Sequence, residues 1–133
     1  MENKLTKKMF RSAAVLGALA VTLGAFGAHG LKQIVPAETV STFETGVRYQ
    51  FYHVFALAAC ALFNLHYPSV WLTRAALCFE IGIVLFSGSL YVLTALKATG
   101  SVGLGGLGLI TPIGGLFFIA GWLLLAWAVQ KSL

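Results

Sequence analysis

Charge is scarce in this chain. Of its 133 residues only 10% are charged, four are acidic, and no acid follows Glu80. A soluble domain carries about 25% charged residues. Cysteine is scarce as well. Cys60 and Cys78 fall inside apolar runs without C-x-x-C spacing, which leaves out a disulfide framework or metal site and predicts two small buried apolar side chains. No P-loop, H-E-x-x-H or G-x-S-x-G motif occurs, so the usual signatures of nucleotide and hydrolytic chemistry are missing. What is abundant is apolar: 59% of residues are hydrophobic, with a mean hydropathy of +0.88. So short a chain has too little interior to hide that surface from water. Its solvent is lipid. The length predicts a single domain, residues 1–133.

The few charges are unevenly placed. Lys4, Lys7, Lys8 and Arg11 crowd the N-terminus, and an apolar run follows at once. Such a cluster before a span marks the cytoplasmic side rather than a nucleic-acid surface. Residues 12–30 then form the first predicted span. A cleaved signal peptide would share the basic start and apolar middle. Against cleavage, Ala13/Gly17, Ala20/Gly24 and Gly24/Ala28 give small-xxx-small spacing suited to helix contact, and Gly24, Gly27 and Gly30 recur every third residue on a candidate packing face with Gly17. The first span is expected to be retained.

Residues 36–46 predict a short amphipathic interfacial helix. Pro36 suits its start, Glu38 its first turn, and Val40, Phe43 and Val47 share one face. Glu44 and Arg48 read as a solvated pair. Further spans are predicted at about 48–66, 71–95 and 109–129, with a turn at His66-Tyr67-Pro68-Ser69 and Pro112 in the first turn of the last span. Six cations lie on the side of both termini and three on the other. The expected placement is a bacterial inner membrane crossed four times, with both termini cytoplasmic. Tyr67, Trp71 and Trp127 would form the inner aromatic belt, and Tyr49, Tyr52 and Tyr91 the outer one.

Gly103-Leu104-Gly105-Gly106-Leu107-Gly108 spells G-x-G-x-x-G, but no strand precedes it and no acid follows, so it reads as a connector. The predicted topology gathers His29, Tyr49, Gln50, His53, Ser87, Ser89, Tyr91 and Thr111 at one outer depth. Polar groups there face the bundle and bond to one another. The leading reading is a clamp in which His29 and His53 hold two helices together. The others are a small-ligand or ion site, and axial histidines for haem, which lack a second pair. Glu80 falls within the third span, where an ionised carboxylate is costly. It is a candidate protonatable group, either relaying protons or hydrogen-bonded as a neutral acid, with Asn64 as its expected partner.

Leu23-Gly24-Ala25-Phe26-Gly27-Ala28-His29-Gly30-Leu31, followed by Tyr49-Gln50-Phe51-Tyr52-His53, resembles the YgdD-like family of small bacterial inner-membrane proteins. Phe86-Ser87-Gly88-Ser89-Leu90-Tyr91, Thr111-Pro112-Ile113-Gly114-Gly115 and Gly121-Trp122 are similar to that family's later segments. The resemblance implies four spans, a retained first helix and no established activity, hence no catalytic residues to carry over. The expected fold is an all-α, integral membrane four-helix bundle with the interfacial helix between spans one and two. The expected function is non-enzymatic, structural or interactive, without cofactor or metal. Its expected partners are the lipid bilayer and a second copy or another membrane protein, with no nucleic acid. The alternative is a small transporter or ligand-binding protein using the outer cluster and Glu80. A membrane enzyme ranks last.

Overall fold

The computed structural model describes residues 2–100 and 106–133. It is helical almost throughout. Helix α1 spans Glu2–Ala28, α2 Ala37–His66, α3 Val70–Gly82, α4 Gly88–Ala98 and α5 Leu107–Ser132. A 3-10 turn at Leu31–Gln33 joins α1 to α2, and a π-helical segment, Ile83–Ser87, joins α3 to α4 without a break. Most of the glycine-rich connector, 101–105, lies outside the described residues.

Several boundaries differ from expectation, each for a local reason. The basic N-terminus is already helical, because nothing between Glu2 and Ala28 breaks a helix: Thr6 and Met9 are buried while Lys4, Lys7 and Lys8 face out. The predicted interfacial helix is not separate. It forms the first turns of one 30-residue helix, α2, since no proline follows Pro36 until Pro68. Its apolar face is as expected, with Val40, Phe43 and Val47 buried together with Leu31 and Val35. Helix α5 starts at Leu107, which puts Pro112 inside the helix and leaves the Gly108 carbonyl without its helical donor. The turn after α2 is as predicted. Ser69 accepts from the Trp71 amide at 3.2 Å, and its own amide donates to Asn64 Oδ1 at 3.0 Å.

Helix α1 packs on α2, α2 on α3 and α4, and α5 on α3 and the π segment. Among the described residues three segments, Lys4–Gln33, Val70–Ala98 and Leu107–Ser132, are long and apolar enough to cross a membrane. Helix α2 is less apolar and more buried, carrying Gln50, His53 and Asn64 into the interior.

Lipid is as apolar as leucine, so helices in it associate through close packing rather than hydrophobic burial. Glycine supplies the closeness here. A Cβ at Gly17 or Gly24 would lie 3.5 or 3.4 Å from Val54 or Val47, and one at Gly27 would lie 2.9 Å from the Phe43 ring. The α1 glycine face therefore meets α2, antiparallel. A tighter set joins α3 and the π segment to α5. Phe118 fills the space over Gly82, Phe86 presses its backbone on Gly114, and Phe79 lies 2.6 Å from where a Gly121 Cβ would stand. Each glycine costs roughly 1 kcal/mol of helix propensity relative to alanine. The inserted rings offset that cost.

Candidate functional site

Gln50 sits at the centre of the polar interior. Its amide nitrogen donates to the Leu16 carbonyl of α1 at 2.7 Å, and its oxygen accepts from the Tyr91 hydroxyl of α4 at 2.6 Å. One buried side chain thus ties three helices together. Beside it, Ser87 in the π segment donates to the Gly46 carbonyl of α2 at 2.6 Å. That bond needs a near approach, and Gly46 permits it: a Cβ there would lie 2.9 Å from Tyr91. π-Segments in membrane and soluble helices alike recur at special sites. This one turns Ser87 towards α2. Ser89 and Thr111 form a second pair, hydroxyl to hydroxyl at 2.6 Å, which joins α4 to α5. Each hydroxyl also has a carbonyl acceptor on its own segment, Ser89 the Phe86 carbonyl at 2.8 Å and Thr111 the Leu107 carbonyl at 3.5 Å, so either can supply the shared proton.

His53 makes a third locus. Trp122 of α5 donates its indole N–H to His53 Nε2 at 3.1 Å. Indole nitrogen only donates, so Nε2 must be the accepting nitrogen. The proton then resides on Nδ1, which donates to the Tyr49 carbonyl at 2.7 Å. The imidazole is the neutral Nδ1–H tautomer with both nitrogens engaged. It stacks on Phe118 at 3.5 Å between centroids and 6° between planes, with Phe79 and Tyr49 flanking it. Tyr49, Tyr52, Phe86 and Trp122 carry this aromatic cluster to the surface, along a groove of about 500 Å³ between α2 and α5.

The predicted outer cluster therefore resolves into three separate contacts, and His29 belongs to none. His29 is exposed just past the end of α1. The glycines do bring α1 against α2, but Gln50 meets Leu16, about 20 Å along the axis from His29. The expectation of a shared depth fails because α2 starts at Ala37, not near Tyr49. His53 consequently lies about 24 Å into its helix, opposite Phe118 in the interior of α5. The predicted His29–His53 clamp is replaced by Gln50 with Leu16 and His53 with Trp122. Gly30 lies beyond α1, and a Cβ there would meet the Phe26 ring of α1 itself rather than a side chain of α2.

Glu80 does not meet Asn64. The Asn64 amide donates to Thr6 at 2.9 Å and its oxygen accepts from Ser69, closing the α1–α2–α3 end of the bundle. Glu80 instead faces a groove of about 220 Å³ between α1 and α3, together with Lys8 and Arg74. Arg74 also caps the Trp71 ring at 5.0 Å. This groove and the His53 groove share no lining residue. Cys60 is buried and Cys78 half-buried, and both are free thiols. Phe118 and Thr6 were not singled out beforehand, and Trp122 only within the Gly121-Trp122 resemblance. The signal for Phe118 was the Phe79/Gly82/Phe86 spacing of one segment mirrored by Gly114/Phe118/Gly121 in another.

An all-α bundle with apolar outer faces and its polar side chains paired inside is an integral membrane protein. The chain belongs to the family described as "Protein of unknown function (DUF423)", which matches residues 23–115. Its relatives include a UPF0382 membrane protein of Haemophilus influenzae, 40% identical over 128 residues, covering 96% of this chain and 98% of the relative. UPF0382 membrane protein YwdK of Bacillus subtilis is 40% identical over 121 residues, covering 90% and 94%. UPF0382 inner membrane protein YgdD of Escherichia coli K12 is 38% identical over 115 residues, covering 85% and 82%. No solved structure matches the chain.

Proposed function

We propose that this protein is a non-enzymatic component of the bacterial inner membrane whose role is structural or interactive within the bilayer. In this reading it crosses the membrane four times with both termini cytoplasmic. The observation that carries the functional reading is the closure of the polar interior. Among the described residues, every buried side-chain nitrogen or oxygen has a hydrogen-bond partner. Gln50, Ser87, Ser89 and His53 spend their hydrogen bonds joining helices. A transporter would need those groups to face a passage. The separation of the Glu80 groove from the His53 groove speaks against one. The antiparallel α1–α2 contact and the cation count support four crossings with a cytoplasmic N-terminus.

The test uses reconstituted liposomes and two readouts. Proton, sodium and ammonium flux should match protein-free liposomes, while Gln50→Leu lowers thermal stability in detergent. A flux that Gln50→Leu abolishes without loss of stability would overturn the reading in favour of a transporter.

A further inference from the structure

Lys8 and Arg74 stand on α1 and α3, the two walls of the Glu80 groove. Among the described residues neither cation is within ion-pair distance of a carboxylate. Lys8 also lines the neighbouring hollow along α1, with Lys4, Lys7 and Arg11. The groove is not merely charged. Met9, Ala76 and Leu77 line it on the inward side of the two cations, and Leu77 is exposed. Cations at a rim above an apolar rail match one class of molecule, whose head is anionic and whose body is hydrocarbon.

We propose that this groove is a binding site for an anionic glycerophospholipid. The phosphate lies between the Lys8 ammonium and the Arg74 guanidinium, and an acyl chain runs inward past Met9, Ala76 and Leu77. Phosphate suits both donors: the guanidinium offers a planar fork and the ammonium a point charge. Basic pockets between membrane helices on the cytoplasmic side take lipid headgroups by this chemistry. Glu80 gives the site a floor. It lies six residues beyond Arg74 on the same chain segment, about 9 Å deeper along the axis. Its carboxylate repels a second anion and holds the phosphate at the rim. The proposal rests on the reading that the start of α1 lies at a headgroup layer.

Native mass spectrometry of the full chain in detergent tests it, with phosphatidylglycerol and phosphatidylcholine of identical acyl chains as probes. Phosphatidylglycerol should be retained at least about tenfold better. The double variant Lys8→Gln/Arg74→Gln should lose that preference. Lys97→Gln/Lys131→Gln, equal in charge but away from the groove, should keep it. Glu80→Gln should strengthen retention about twofold to fivefold. This arm remains decisive even where the double variant proves unstable. The proposal is overturned by equal retention of the two lipids, or by equal loss in both double variants. It is also overturned if Glu80→Gln leaves retention unchanged, or if inorganic phosphate at equal concentration displaces the lipid. Binding is read in micelles, so its failure leaves the topology untouched, and a reversed topology in cells leaves the binding result standing.

Discussion

Gln50 shows how much one side chain does when water is absent. Its two bonds, to Leu16 and Tyr91, connect α1, α2 and α4. Interhelical hydrogen bonds in membranes are each worth about 0.6 kcal/mol on average, because the unfolded helices also find partners in lipid. Tyr91→Phe should therefore cost about 1 kcal/mol, including the acceptor left unpaired on Gln50. A double-mutant cycle with Gln50→Leu, measured by unfolding in mixed micelles, should give a coupling of about 0.6 kcal/mol. A coupling of zero would show that the two residues act separately. His53 offers a spectroscopic check. Its ¹⁵N shifts should report a neutral ring with the proton on Nδ1. Trp122→Phe should keep the packing over Phe79 yet let the proton redistribute between the two nitrogens. An Nε2–H tautomer in the unaltered protein would contradict the Trp122 bond.

At this scale the sequence was informative about which residues would be polar inside and silent about their partners. Gln50, Tyr91 and Ser87 were expected in the interior because nothing else accommodates a polar group in hydrocarbon. Trp122 was not expected to donate to His53. An indole in an apolar helix reads equally well as part of a membrane-interface belt. Nor was Asn64 legible as the partner of Thr6, since 58 residues separate them.

Between elements, the two glycine faces are unequal. Gly17 and Gly24 of α1 meet valine side chains at ordinary or slightly tight distance, unlike Gly27 against the Phe43 ring, so Gly17→Ala and Gly24→Ala should change stability by less than about 0.5 kcal/mol. Gly82 of α3 and Gly114 and Gly121 of α5 meet aromatic rings or backbone with no room for a methyl group. Gly82→Ala and Gly114→Ala should each cost about 2 to 3 kcal/mol or more. Gly114→Ala should be the worse of the two, because it meets the Phe86 backbone, which cannot rotate away. Thermal melts of the four purified variants in one detergent provide the comparison. Equal losses across the set would show that the α3–α5 contact relaxes freely. The glycine spacing in α1 was legible because glycine recurs there at regular intervals. The α3–α5 contact was not, because its glycines and phenylalanines alternate between two distant segments. The π segment was likewise hidden: Ile83-Val84-Leu85-Phe86-Ser87 is an ordinary apolar run.

For the whole molecule, the order of contact α1–α2–α3/α4–α5 leaves α1 and α5 as flanks, each with most of its surface outward. Reporter fusions should place residue 133 on the cytoplasmic side and the Lys97 region on the periplasmic side. Opposite labelling would reverse the proposed orientation without altering the bundle. The family match over residues 23–115 encloses the Gln50–Tyr91, Ser87–Gly46 and Ser89–Thr111 contacts but stops short of Leu16, Phe118 and Trp122.

Composition and spacing were enough to establish a helical membrane protein, because too few charges and too much apolar surface permit no other solvent. They also placed the ends of α2, α3 and α5 near Tyr67, Ser69 and Lys131, but missed by about ten residues where α1 starts and that the interfacial segment continues into α2. Depth was not local. Where a residue lies relative to its neighbours depends on the register between helices, and that register comes from side chains meeting across gaps of 34 to 69 residues. The unbroken run of α2 from Ala37 to His66 moved His53 into the interior and away from His29. Packing of Phe79, Phe86 and Phe118 on glycine then set which helices close on one another and which polar groups they seal.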